Sequence, residues 1–176
     1  RVKAQPSFTG RYLDSILDSL LNFALMMCLG WFTHTGIGWS LLAFLCMQTQ
    51  GTVYNYYYVI LRHSTNGEIT SKIFENKVPE AYPQENQRTV NFLFKSYRVL
   101  YRLFDELIYK LDPSASKAGV SPKWFMTLVS CYGLGFQLLL IAFFLVMGWV
   151  NAIIPFFIVY SVLIPLFIAI RRFVLK

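Results

Sequence analysis

Four long apolar stretches restrict this chain of 176 residues to a membrane environment. A helix needs about 20 apolar residues to cross a hydrocarbon core, and stretches of about that length cover residues 13–33, 37–61, 124–147 and 150–170. Hydrophobic residues make up 56% of the chain and charged residues only 14%, a composition that soluble domains do not share. We therefore predict an all-α fold: a polytopic membrane helix bundle with four transmembrane helices, forming one membrane domain over residues 1–176.

The distribution of lysine and arginine predicts the orientation of this bundle. Residues 33–36 and 148–151, which follow the first and third stretches, contain no lysine or arginine, and the other polar regions hold all 16 of these residues. The positive-inside rule places those basic regions in the cytoplasm. The sequence thus predicts a multi-pass protein of the cytoplasmic (inner) membrane with both termini cytoplasmic.

The net charge of +7 fits this topology and an attraction to anionic lipid headgroups. A second interpretation is that some of the cations bind a phosphorylated substrate. The chain shows no basic face with the spacing of a nucleic-acid-binding motif, so we do not expect nucleic acid as a partner.

A cytoplasmic insertion over residues 63–122 separates the second and third apolar stretches. Spacings of four and three predict an amphipathic helix over residues 91–111, with one apolar stripe formed by Leu93, Tyr97, Leu100, Phe104, Leu107 and Leu111. Its turn-rich flanks predict loops. The helix is interpreted either as a cap that packs on the bundle or lies at the membrane interface, or as a lid over an active site or a dimer contact.

Asp14 and Asp18 are the only carboxylates outside residues 68–112, and they lie where the first apolar stretch begins. Gly10, Asp14 and Asp18 are four residues apart, which places them on one face of a helix. A charge is costly to place in a membrane segment and usually marks a functional site. Carboxylate oxygens without a thiolate or imidazole cluster favour Mg²⁺ or Mn²⁺. Two alternatives stay open: helix-end charges balanced by Arg11, and an ion or proton pathway.

The start of this helix and the second apolar stretch add candidate binding groups. Ser7 or Thr9 is a suitable helix cap, which puts Gly10 in the first turn, where the helix dipole favours a phosphate. A polar stripe then follows helical spacing in the second stretch: Gln48, Thr52, Asn55, Tyr58 and Arg62. The stripe predicts either hydrogen bonds between helices or a pocket in which Arg62, with His63 or Arg11, binds phosphate or hydroxyl groups.

These residues resemble a known signature, that of the CDP-alcohol phosphatidyltransferase family. The family pattern reads DxxDGxxAR, seven or eight residues, then GxxxDxxxD. Arg1, eight residues, Gly10, three residues, Asp14, three residues and Asp18 match its second half. The resemblance implies that the four spans are the last four of six. It also implies that the first part of the membrane domain, with the remaining metal ligands, precedes Arg1.

Members of this family are enzymes of phospholipid biosynthesis. They transfer a phosphatidyl-type group from a CDP-linked lipid, such as CDP-diacylglycerol, to the hydroxyl of a small alcohol and release CMP. The resemblance implies that Asp14 and Asp18 bind two Mg²⁺ or Mn²⁺ ions, with Asp18 also the catalytic general base. It implies that Arg1 and Gly10 line the cytidine diphosphate site, beside which Arg11 is a further substrate-binding candidate.

The expected partners are the CDP-linked lipid, the acceptor alcohol, membrane lipids and, as in relatives, a second copy of the chain in a homodimer. The sequence does not specify the alcohol. Two other classes remain as alternatives: a membrane ion or proton transporter that uses Asp14 and Asp18, and a non-catalytic membrane assembly protein.

Overall fold

The structure, a computed structural model, describes residues 7–64, 77–115 and 122–174. Within these ranges the chain forms helices and no strand, which confirms the all-α prediction for the part described. The α-helices are α1 (Phe8–Phe32), α2 (Ile37–Ser64), α3 (Gln87–Leu111), α4 (Lys123–Val129), α5 (Leu134–Val146), α6 (Ile153–Tyr160) and α7 (Leu163–Val174). Short 3₁₀ turns, Ser130–Tyr132 and Val150–Ala152, precede α5 and α6.

Two helical stretches are long and apolar enough to cross a membrane, Phe8–Phe32 and Val150–Phe173. A third span results if Lys123–Tyr132 and Leu134–Val146, which meet at an angle of 52°, are counted as one bent helix. The described part of the chain therefore has two to three helices of membrane-spanning length and hydropathy. The fourth predicted span, over residues 37–61, stays a prediction because α2 is less apolar than the others.

The polarity of α2 is explained by its central position in the bundle. This helix packs against α1, α3, α4 and α6, and its Gln48, Gln50 and Thr52 are buried. The Nε2 of Gln50 donates hydrogen bonds of 2.9 Å to the carbonyl of Phe157 and to the hydroxyl of Ser161. Polar groups in a membrane bundle need such protein partners, so α2 tolerates amides that a lipid-facing helix would not.

Both C-terminal hydrophobic segments are broken rather than continuous. Pro165 has no N–H to donate to the carbonyl four residues earlier, and its ring crowds that carbonyl. The carbonyl of Ser161 instead accepts from Ile164 at 3.0 Å, so α6 ends and α7 begins here. The α4 segment bends at Gly133, where an added Cβ would lie 3.1 Å from the carbonyl oxygen of Ser130.

The amphipathic helix α3 begins at Gln87, four residues before the predicted start, and ends at Leu111 as predicted. Its buried side chains are Val90, Leu93, Phe94, Tyr97 and Ile108. Of the predicted stripe, Leu93 and Tyr97 are therefore buried, whereas Leu107 and Leu111 at its end are exposed. Ile108 takes their place because it packs into the apolar cluster formed with the second half of α2 and with α4 and α7.

A buried ion pair joins the ends of three helices. Asp112, just after α3, is fully buried, and Arg171 of α7 is 5% exposed. The carboxylate oxygen Oδ2 of Asp112 accepts from Arg171 Nε at 2.6 Å and from the hydroxyl of Tyr57 at 2.9 Å. Arg171 Nη2 also contacts Oδ1 of Asp112 and the hydroxyl of Ser114. These contacts bring the C-terminal parts of α2, α3 and α7 to one end of the bundle, called here the polar end.

Candidate functional site

A cavity of about 210 Å³ lies between α1, α2, α3 and α5, near the polar end. Most of the residues that line it carry an amide, hydroxyl or charged group. The residues are Arg11, Ser15, Asp18, Asn22, Met47, Gln48, Gly51, Thr52, Tyr54, Asn55, Tyr97, Tyr101, Leu134 and Gln137. A polar cavity of this size inside an apolar bundle is the default candidate for a binding site.

Helix α1 presents one polar face to this cavity. Arg11, Ser15, Asp18 and Asn22 follow each other at spacings of four and three residues, which aligns them along the helix. Asp18 is half-buried and lines the cavity. Asp14, one turn nearer the polar end, is exposed and outside the lining, although the charges of the two aspartates lie close enough to interact.

Asn22 is a site residue that the sequence analysis missed. It is 6% exposed, and its side-chain oxygen Oδ1 is buried without a hydrogen-bond partner among the described residues. A buried acceptor left without a donor costs about 1–3 kcal/mol. The four-residue spacing from Asp14 to Asp18 reaches Asn22 at the next step, so continuing that pattern would have identified it.

Helix α3 forms one wall of the cavity. The hydroxyl of Tyr101 donates a hydrogen bond of 2.8 Å to the carbonyl of Ser15, and Tyr97 packs against Tyr12 of α1. Burial raises the pKa of Tyr101 to about 12, and the carboxylate of Asp18 contributes in the same direction. Tyr101 therefore stays protonated at neutral pH and keeps this hydrogen bond.

The two arginines predicted to bind substrate lie in different places. Arg11 lines the cavity, with its guanidinium carbon 5.2 Å and 5.9 Å from the ring centres of Tyr12 and Tyr97. Arg62 lies outside the lining and places its guanidinium carbon 5.0 Å from the ring centre of Tyr58.

The polar stripe predicted in the second apolar stretch also lies partly inside and partly outside the cavity lining. Gln48, Thr52 and Asn55 line the cavity, as a pocket requires. Tyr58 and Arg62 continue along the helix beyond it. The stripe therefore supplies neutral hydrogen-bonding groups to the cavity, and Arg11 supplies the cation.

The backbone amides at the start of α1 bind the carboxylate of Glu85, a residue of the same chain. Ser7 is the helix cap, as one of the two predictions had it, and accepts a hydrogen bond of 3.0 Å from the Gly10 amide. Glu85 accepts from the amides of Phe8 at 3.2 Å and Thr9 at 2.7 Å. Glu85 thus occupies the position where a substrate phosphate was expected. Gly10 is exposed and outside the cavity lining, and Arg1 lies outside the described residues.

The metal prediction rests on Asp14 and Asp18. Among residues 7–64, 77–115 and 122–174, no group of three or more His, Cys, Asp or Glu side chains is arranged to hold a metal ion. Oxygen-only donors fit a hard cation such as Mg²⁺ or Mn²⁺ in kind, but the two aspartates supply only part of a ligand set. Metal binding therefore stays a prediction.

Beyond Asn22 the cavity ends against amides and an apolar cluster. Gln137 donates from Nε2 to Gln50 Oε1 at 3.0 Å and to the Met47 carbonyl at 3.2 Å. Met26 and Phe157, fully buried, belong to the apolar cluster behind these amides. In the described part of the chain, the cavity is thus a pocket closed on the side away from the polar end.

In the residues that the structure describes, these features define a helical fold with two to three helices long and apolar enough to cross a membrane and a polar pocket near one end of the bundle. No family model matches the chain, and no curated protein or solved structure shows significant similarity to it. The family resemblance therefore rests on the signature residues alone, and the activity that it implies is a proposal.

Proposed function

We propose that this protein transfers a phosphatidyl-type group from a CDP-linked lipid, such as CDP-diacylglycerol, to the hydroxyl of a small alcohol and releases CMP. The observation that carries the proposal is the position of Asp18. This last residue of the signature lines a polar pocket near the end of the bundle, together with Arg11. Such a pocket suits a reaction in which a water-soluble alcohol must meet a lipid at a membrane surface.

Each residue has a chemical role in this proposal. Asp14 and Asp18 would hold Mg²⁺ or Mn²⁺, which when bound neutralises the charge that develops on the phosphate oxygens. Asp18, which faces the pocket, takes the proton of the attacking hydroxyl. Arg11 pairs with the diphosphate oxygens. The alcohol oxygen bonds to the lipid-side phosphorus as the bond from that phosphorus to the CMP oxygen breaks.

The decisive experiment measures Mg²⁺-dependent CMP release from CDP-diacylglycerol by the full-length protein with a panel of alcohols. We expect Asp18→Asn to lower the rate at least about 100-fold, the usual range for losing a general base, and Asp14→Asn to lower it at least about tenfold because a carboxylate that would hold the metal is lost. The matched control is Asp105→Asn, since Asp105 is partly buried on α3 but outside the pocket lining. Unchanged CMP release in both signature variants would disprove the proposal.

The proposed setting is the cytoplasmic membrane, with the pocket and both termini on the cytoplasmic side and two copies forming a homodimer. The grouping of Arg62, Arg171 and the start of α1 at the polar end supports a common side for these basic segments. The side itself is tested by labelling single introduced cysteines at Thr35 and Lys95 with a membrane-impermeant reagent in sealed inside-out vesicles. Labelling at Thr35 instead of Lys95 would reverse the orientation.

The transporter alternative requires a path through the bundle. Hydrogen bonds that link Gln137, Gln50 and Ser161 extend polar groups beyond the pocket. These groups bond to one another and do not line an open path. The apolar cluster around Met26 and Phe157 lies behind them. The pocket geometry therefore favours the enzyme, and the aspartate variants separate it from a non-catalytic assembly protein.

A further inference from the structure

The unpaired oxygen of Asn22 points to the kind of ligand that this pocket takes. Oδ1 is an acceptor, buried and without a donor among the described residues. The pocket of about 210 Å³ far exceeds the roughly 10–15 Å³ that a single water molecule requires. A ligand that brings a hydrogen-bond donor to this depth would remove the penalty of an unpaired buried acceptor.

The charges of the lining residues further restrict the class of ligand that the pocket can bind. One cation, Arg11, and one carboxylate, Asp18, face the pocket, and the polar groups between them are neutral. The amide of Asn55 offers both donors and an acceptor. The Nε2 of Gln137 already donates to Gln50 and Met47, so Gln137 adds its side-chain oxygen as a further acceptor. Hydroxyl groups also donate and accept, so a polyhydroxylated molecule can bond to several of these amides at once.

Other head groups fit less well. A phosphate brings about two negative charges, for which the lining offers one cation, Arg11, and its acceptor oxygens cannot donate to Asn22 Oδ1. A quaternary ammonium has no N–H to donate. A neutral polyol carries donors without a charge that the lining would need to balance.

We propose that the pocket beneath Asp18 binds the neutral, polyhydroxylated head group of an alcohol, one hydroxyl of which donates to Asn22 Oδ1. Asn22 is then a specificity-determining residue. That this alcohol is the acceptor of the phosphatidyl group rests on the proposed function. That the pocket binds it does not depend on that function.

The test measures binding to purified full-length protein by isothermal titration calorimetry, without CDP-lipid. The probes are myo-inositol and glycerol as neutral polyols, glycerol 3-phosphate as a phosphorylated alcohol, and choline as a quaternary ammonium. We expect saturable binding of a neutral polyol, and weaker or no binding of glycerol 3-phosphate and choline. Tighter binding of either charged probe overturns the proposal.

Substitutions at Asn22 test the contact itself. We expect Asn22→Leu to weaken polyol binding about tenfold, the upper range for one neutral hydrogen bond, and Asn22→Asp, which keeps an acceptor, to weaken it less. Leucine has the same branched shape and removes an unsatisfied group, and the pocket beside it has room for its larger methyl groups, so the thermal midpoint of this variant should not fall. The matched control is Asn151→Leu, at an exposed asparagine outside the pocket lining.

Two results would overturn the assignment of Asn22. One is unchanged polyol affinity in Asn22→Leu, which would mean that the oxygen meets only water. The other is an altered Mg²⁺ requirement with unchanged polyol affinity, which would make it a metal ligand. Polyol binding that depends on Asn22, in a protein that releases no CMP from CDP-diacylglycerol, would support the pocket and refute the proposed reaction.

Discussion

Glu85 accepts a hydrogen bond of 2.7 Å from the backbone amide of Thr9, 76 positions earlier in the chain. The same carboxylate accepts from the hydroxyl of Ser7 at 2.8 Å. A side chain from the segment before α3 therefore satisfies the free amides at the start of α1 and places a negative charge at the positive end of its dipole. This contact fixes α3 beside the helix that carries the two aspartates.

Removing this charge should destabilise the protein. We expect Glu85→Gln to lower the free energy of unfolding by about 1 kcal/mol, a typical value for a helix cap, and the thermal midpoint by about 2–4 °C. The control is Glu80→Gln, which removes an exposed charge in the same segment. Equal midpoints for the two variants, measured in detergent micelles, would contradict the capping role.

The stabilisation from Glu85 should depend on pH. Partial burial acts to raise the pKa of Glu85, but hydrogen bonds from Thr9, Ser7 and Phe8 outweigh it and hold the pKa below its ordinary value of 4.5. A lowered folded-state pKa gives stability that is complete above the unfolded-state value and is lost as the pH falls through the folded-state pKa. The midpoint difference between the wild type and Glu85→Gln should thus be constant at neutral pH and shrink below pH 4.5.

Breaking the pair of Asp112 and Arg171 should be more damaging. Asp112→Ala leaves the buried guanidinium without a counter-charge, which typically costs about 3–5 kcal/mol. The exposed pair of Arg102 and Glu106 provides the control, and Glu106→Gln should change the denaturation midpoint little. The double variant Asp112→Leu, Arg171→Met should recover part of the loss. A double variant less stable than Asp112→Ala would argue against an uncompensated charge as the cause.

Close packing of α1 on α2 depends on Gly30. A Cβ at this position would lie 2.8 Å from Ser40 Cβ, and the Ser40 hydroxyl is held by a 3.0 Å hydrogen bond to the Gly36 carbonyl. We expect Gly30→Ala to destabilise the protein by about 1–3 kcal/mol. Gly38→Ala, with no atom within 4 Å of the added Cβ, is the control and should be neutral or slightly stabilising. Equal denaturation midpoints for the two variants would contradict this packing.

If the proposed reaction is correct, substitutions of Arg11 and Arg62 should have different effects on the kinetics. Arg11→Met removes the cation that lines the pocket, so kcat/KM for CDP-diacylglycerol should fall about tenfold to 100-fold, as for loss of a hydrogen bond to a charged group. Arg62→Met should lower it less than about threefold, because Arg62 packs on Tyr58 outside the lining. A larger decrease in kcat/KM for Arg62→Met than for Arg11→Met would instead support Arg62 as the residue that binds substrate.

Helical periodicity predicted the parts of the pocket that depend on one helix at a time. Asp18 and Arg11 face it because residues three and four apart share a face, and Gln48, Thr52 and Asn55 follow the same rule on α2. Spacing alone does not tell how far along a helix the neighbouring elements extend. The stripe on α2 therefore continued to Arg62, past the end of the pocket, and the one on α3 continued to Leu107 instead of moving to Ile108.

Helical periodicity does not reveal contacts between segments that are far apart in the sequence. Glu85 lies in a loop, where no periodicity indicates its partner, and Asp112 lies just beyond the predicted end of α3, where the helical pattern indicates none either. Gln50 of α2 pairs with Ser161 and Gln137 inside the bundle, and the sequence does not indicate which helices supply these partners. Each of these features depends on which helices become neighbours, and one sequence does not contain that information in a readable form.

The pairing of Asp112 with Arg171 imposes an order on biosynthesis. Asp112 leaves the ribosome 59 residues before its partner, so its carboxylate must stay hydrated until the last helix has been synthesised and inserted. The segment after α3 can therefore dock only after Arg171 has been synthesised. A ribosome that stalls before Arg171 would leave a nascent protein in which α2, α3 and α7 are not yet joined by this ion pair, and quality-control proteases could recognise that open end.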